Sequence, residues 1–115
     1  MKQNIIAELS FDFALKMIDL YKTLIVNREY ILSKQLLRSA TSIGANVEEA
    51  TAGHSKKDFA FKMSLASKEA RETRYWLRLL ERSKLTEFNY TDYLKDIEVI
   101  IRILTKIVKT SQEDI

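Results

Sequence analysis

The 115-residue chain is expected to be all-α, an antiparallel up-down-up-down four-helix bundle. Proline is absent and glycine occurs only at Gly44 and Gly53. The turn punctuation that a β-sandwich or βαβ protein needs every ten residues or so is therefore missing. Apolar residues also recur at alternating +3 and +4 spacing in four separate stretches. The breaks between them are short, roughly three to six residues, which makes sequential helices antiparallel neighbours. At roughly 100–200 residues per domain, residues 1–115 form one domain with one core.

The first helix is expected over about residues 11–27. Ser10 reads as its N-cap, Asp12 lies in the first turn, and the seam runs Phe11, Ala14, Ile18, Tyr21, Ile25. The second spans about 34–52, capped by Ser33 and stopped by Gly53, with the seam Leu36, Ala40, Ile43, Val47, Ala50. Ser55-Lys56-Lys57-Asp58 resembles a capping box and opens the third helix, about 56–84. Its seam is Phe59, Met63, Ala66, Ala70, Thr73, Leu77, Leu80. Asn89 with Asp92 repeats the cap pattern before a fourth helix over about 90–110, with Tyr93, Ile97, Ile100, Leu104 and Ile107.

Second apolar rows lie beside these seams. They include Phe13, Met17, Leu20 and Leu24 in the first helix, Phe61, Leu65, Trp76 and Leu79 in the third, and Leu94, Ile101 and Val108 in the fourth. A thick monomer core and a subunit interface both account for such rows. The interface candidates are Phe13, Met17, Leu20, Phe61, Leu65, Trp76 and Leu79. The middle of the second helix, Ser39 to Asn46, holds one large residue, which allows close helix approach. Hydroxyls turned inward there need partners such as the carbonyl one turn back.

Composition excludes several chemistries. Without cysteine and with one histidine, thiolate zinc sites, disulfides, cysteine nucleophiles and multi-histidine metal sites are ruled out. No Glu-x-x-His occurs, so the usual di-metal set of helical bundles is missing. A carboxylate-only hydrolase site would rest on Glu69 and Glu72, which flank Trp76 and are better placed to pair with arginine. His54 stands beyond a helix end with no orienting partner, and no phosphate-cradling glycine loop occurs. The expectation is no enzyme, no metal and no cofactor. The N-terminal stretch lacks a signal-peptide pattern and no apolar run approaches the roughly 20 residues of a membrane span, so the expected location is the cytoplasm.

Formal net charge is +3, mild by itself, but unevenly spread. Residues 1–54 are neutral, 55–85 carry +5, and 86–115 carry −2. On a helical wheel Lys68, Arg71, Arg74, Arg78 and Arg82 share one outer face away from the seam. At 1.5 Å per residue this stripe runs about 21 Å, enough to meet several phosphates. Tyr75 lies within it and could stack on a base. The competing reading is a solvated face, partly neutralised by Glu72 and Glu81.

The run Gln35 to Glu49, which contains Arg38-Ser39-Ala40-Thr41-Ser42-Ile43-Gly44-Ala45-Asn46, resembles the bacterial four-helix-bundle family named for proteins encoded in 23S rRNA intervening sequences. Ser10 to Ala14, Asp58-Phe59 and Leu65 to Thr73 extend the resemblance over roughly residues 10–110; Ala50 departs from a glycine expected there. The resemblance implies a homopentameric ring with no established enzyme activity. A related member, the accessory variability protein of diversity-generating retroelements, works with a reverse transcriptase and nucleic acid. By this resemblance Lys68, Arg71, Arg74, Arg78 and Arg82 are the candidates for an RNA- or DNA-binding face, with Arg38 and Lys34 as extensions. Two functions stay open. One is a non-catalytic nucleic-acid-binding accessory; the other is a scaffold homo-oligomer binding a protein partner, its stripe solvated or paired with residues such as Glu98 of a neighbour.

Overall fold

The computed structural model describes residues 2–113, with side chains from Ile5 onward. Four helices follow one another: α1 (Lys2–Val26), α2 (Ile31–Thr51), α3 (Lys56–Ser83) and α4 (Thr91–Glu113). At 1.5 Å rise per residue, α3 is about 42 Å long, matching the longest dimension of a 46 × 21 × 20 Å body. All four helices therefore run along that axis, and the short connections reverse direction each time. Each helix meets two others, in the cyclic order α1–α2–α3–α4. The α2–α3 contact is the most extensive and the α1–α4 contact the least. This is the four-helix bundle that the periodicity predicts.

The seams of α2, α3 and α4 face inward as expected. Leu36, Ala40, Ile43, Val47 and Ala50 of α2 are buried, as are Met63, Ala66, Ala70, Thr73, Leu77 and Leu80 of α3. Ile97, Ile100, Leu104 and Ile107 are buried on α4. Phe59 and Tyr93, placed in those seams, lie half-buried at the edge of the core.

Helix α1 is turned the other way. Ile6, Phe13, Met17, Leu20 and Leu24 fill the core, whereas Phe11 is 64% and Ile18 38% exposed. Both rows are apolar, so spacing alone did not choose between them; contact with the other helices does. This corrects the expectation for Phe13, Met17 and Leu20. They belong to the monomer's own interior and are not available to a neighbouring subunit.

The helix ends bring three further corrections. Helix α1 begins at Lys2, well before Ser10, because no glycine or proline interrupts residues 2–10. Ser10 sits inside the helix, buried, its hydroxyl donating to the Ala7 carbonyl at 3.2 Å. Its small side chain lies against Gly44, where an added Cβ would stand 3.5 Å from Ser10 Oγ. Ser33 is not the cap of α2. Glu29 takes that role from outside the helix, its carboxylate accepting from the N–H groups of Leu32 at 3.0 Å and Ser33 at 2.6 Å. At the other end of the chain, α4 continues past residue 110 to Glu113.

Ser55 caps α3 as predicted, Oγ accepting from the Asp58 N–H at 3.0 Å. Asn89 Oδ1 accepts from the Thr91 N–H ahead of α4. With so few glycines, the left-handed residues after α1 and α3 are Arg28 (φ 66°) and Lys84 (φ 60°).

Between α2 and α3, the Ser39 and Thr73 hydroxyls meet at 2.9 Å in the core. Thr73 donates to the Glu69 carbonyl at 2.8 Å and Ser39 Oγ lies 3.2 Å from the Leu36 carbonyl, so the Ser39 proton is shared between Leu36 and Thr73. The inward hydroxyl anticipated from the small-residue stretch has a partner across the interface as well as one turn back.

Two stability outcomes follow. Lys84→Gly relieves a left-handed non-glycine residue and is expected to raise stability by up to ~1 kcal/mol in urea unfolding. Thr73→Val is expected to destabilise by about 1 kcal/mol, because Ser39 loses its 2.9 Å partner across the interface and keeps only the 3.2 Å contact to the Leu36 carbonyl. Adding Ser39→Ala to it should cost less than the two single changes summed, because no buried hydroxyl is then left without its mate.

Candidate functional site

The outer surface of α3 lies between its two flanking neighbours, α2 and α4. Because Met63, Ala66, Ala70, Thr73, Leu77 and Leu80 occupy the inner face, the predicted cations must lie outside, and none of them is buried. They do not behave as one stripe. Arg74 leans toward α4, where Nη1 meets Glu98 Oε1 at 2.6 Å. The predicted partner is the right residue, but it belongs to the same chain rather than to a neighbour. Arg71 also reaches α4, its Nη2 donating to Thr105 Oγ1 at 3.1 Å. Lys68, Arg78 and Arg82 are not buried and make no ion pair among the described residues.

On the α2 side the charges are closed up. Arg38 contacts the Glu72 carboxylate directly and lies 3.7 Å from Glu69 Oε1. Trp76 donates its indole N–H to the same Glu72 carboxylate at 2.9 Å. These hydrogen bonds, from Trp76 foremost and then Arg38, hold the Glu72 carboxyl below the ordinary carboxylate value against the opposing effect of burial. Glu69 Oε1 is buried with no hydrogen-bond partner among the described residues. Arg38 is thus a structural cation, neutralised where it stands; Lys34, its companion extension on α2, is exposed. Trp76 is half-buried and hydrogen-bonded, Leu65 and Leu79 are half-buried, and Phe61 is 61% exposed.

The pattern on α3 alone does not reveal Arg102. It sits four residues from Glu98 on α4, on the same helical face, and shares a shallow surface depression with Glu81, Lys95, Glu98 and Val99. The signal existed, since Glu98, Arg102, Thr105 and Lys109 recur at +4, +3 and +4, but only the α3–α4 contact shows which face adjoins the arginines. Among the described residues no three His, Asp or Glu side chains gather as a metal site. No helix there is long and apolar enough to cross a membrane.

Fold and surface together define a small all-helical bundle whose positive excess is concentrated on α3. Residues 2–106 match the family described as 23S rRNA-intervening sequence protein, and the chain belongs to that family. A solved structure from Bacteroides thetaiotaomicron VPI-5482, described as a protein with unknown function from the S23 ribosomal protein family, is 43% identical. It superposes with a TM-score of 0.90 over 95% of this chain and 99% of its own. No curated protein matches the chain.

The Glu72 network gives a pH signature. Its folded pKa is lowered, so its contribution to stability is present above the ordinary value of 4.5 and is lost as pH falls through the lower folded value. Glu72→Gln is therefore expected to melt below wild type at neutral pH, by a gap that holds down to about pH 5 and closes in stronger acid. Thermal melts followed by the fluorescence of Trp76, the only tryptophan, check this.

Proposed function

We propose that this protein is a non-enzymatic, cytoplasmic accessory that binds RNA or DNA through the outer face of α3. The observation that carries the reading is the open row Lys68, Arg78 and Arg82, cations with no ion-pair partner among the described residues, continued by Arg71 and by Arg102 of α4. A cation that folding leaves without a carboxylate is available to a phosphate, and several at helical spacing meet a strand at several points.

Self-association accompanies it. The α1 row that the core leaves outside, with Phe11, Leu15 and Ile18 exposed, is a contiguous apolar surface of the kind that mediates assembly. Phe61 is a further exposed apolar anchor on α3. A homopentameric ring, the arrangement implied by the family resemblance, would multiply the basic face and add weak contacts as avidity. The scaffold reading, in which a protein partner such as a reverse transcriptase is held, rests on the same apolar surface.

Arg78→Glu with Arg82→Glu is expected to abolish binding to labelled RNA in a filter or anisotropy assay while lowering the melting temperature only slightly, since neither residue has an ion-pair partner among the described residues and only the charge of Arg82 in the last turn of α3 is lost to the helix dipole. Wild-type affinity should fall steeply with salt, by a log–log slope of roughly 0.7 per phosphate contacted on a single strand. Unchanged affinity in the double variant overturns the assignment. Light scattering is expected to give a multiple of the 13.4 kDa chain mass, and Phe11→Asp should lower it; a monomer at micromolar concentration removes the assembly from the proposal.

A further inference from the structure

Tyr75 stands in the open row of α3, four residues after Arg71 and three before Arg78, so all three share one face. Along the helix axis the guanidinium-bearing residues lie about 6 Å to one side and 4.5 Å to the other. Tyr75 is 55% exposed, so the core does not account for its position. What holds it is Trp76: the two rings meet edge to face, centroids 5.2 Å apart at 71°. Trp76 is itself fixed by its hydrogen bond to Glu72, and Glu72 by Arg38 of α2. Two helices thus seat one exposed aromatic ring among cations.

We infer that Tyr75 is a base-stacking residue, and that the α3 face takes single-stranded nucleic acid with an unpaired base on Tyr75 and flanking phosphates on Arg71 and Arg78. The inference rests on the nucleic-acid reading above and names its ligand class. In an edge-to-face pair at least one face of the tyrosine ring remains open, and every base has a π-face to lay on it. In a duplex those faces are already stacked on neighbouring bases, so a duplex can use the arginines but not the ring. Seating the ring in advance lowers the ordering cost of stacking, and Trp76 and Glu72 act as positioning residues in this way.

The test compares labelled oligo-uridine RNA, a fully paired RNA hairpin, and an abasic strand of the same phosphate number, each titrated against the full-length protein by fluorescence anisotropy. Tyr75→Leu is expected to weaken oligo-uridine binding about tenfold. Its salt slope should stay the same, as should its affinity for the hairpin. Tyr75→Phe should match wild type, and the abasic strand should bind wild type no better than oligo-uridine binds Tyr75→Leu. Trp76→Leu should weaken oligo-uridine binding with hairpin affinity preserved, which general misfolding would not preserve. Equal oligo-uridine affinity in wild type and Tyr75→Leu overturns the inference, as does a parallel loss for strand and hairpin. If binding is lost on Arg78→Glu with Arg82→Glu but survives Tyr75→Leu, the inference fails and the nucleic-acid reading stands. If wild type binds none of the three probes, both fail.

Discussion

The close contact between α2 and α3 sets the layout of the outer surface. Ala40, Ala66 and Ala70, with the Ser39–Thr73 hydroxyl pair, put small side chains on the buried faces of these helices. Small residues let backbones approach, and turning α3 would expose its apolar seam and part the hydroxyl pair. The rotation of α3 is thereby fixed. Its arginines must face outward, with Arg74 falling to the α4 side and Glu69, Glu72 and Trp76 to the α2 side.

That fixed rotation divides charges that look alike in the sequence. Arg38 and Arg74 each meet a carboxylate across a helix interface, contacts of modest energetic worth at partly exposed positions that nonetheless take the cation out of circulation. Lys68, Arg78 and Arg82 are left without a carboxylate among the described residues. For a nucleic-acid-binding role, the working cations are those that the fold leaves unused. The same division applies to the aromatics. Tyr90 is buried with its hydroxyl 2.6 Å from Thr86, and burial raises its pKa, whereas Tyr75 is left outside.

Helix α1 contributes differently. It meets α4 only lightly, across a Lys16–Asp96 ion pair of 2.8 Å that raises the lysine pKa. It presents apolar residues on both its buried and its outer sides. A helix with two apolar faces contains more apolar surface than one bundle can cover, and the excess on Phe11, Leu15 and Ile18 is the basis for expecting assembly.

The sequence by itself determined the fold class, the number and order of the helices, and the inward faces of α2, α3 and α4, whose periodic seams are the buried rows even where α3 and α4 carry a second apolar row beside them. It also determined the Ser55 cap and the outward position of the arginines. It did not determine which row of α1 is buried, since Phe11–Ile18 and Phe13–Leu20 satisfy the same period and only contact with the other helices distinguishes them. Ser10 and Ser33 read as caps because serine favours helix ends, yet both are buried inside helices, where a carbonyl one turn back satisfies the hydroxyl. The carboxylate that caps α2, Glu29, lies in a connection that periodicity does not describe. Tertiary structure alone decided which cations are neutralised, because a pairing such as Arg74 with Glu98 or Arg38 with Glu72 joins residues 24 or 34 positions apart. No local pattern encodes a separation of that size; it follows from two helices lying side by side.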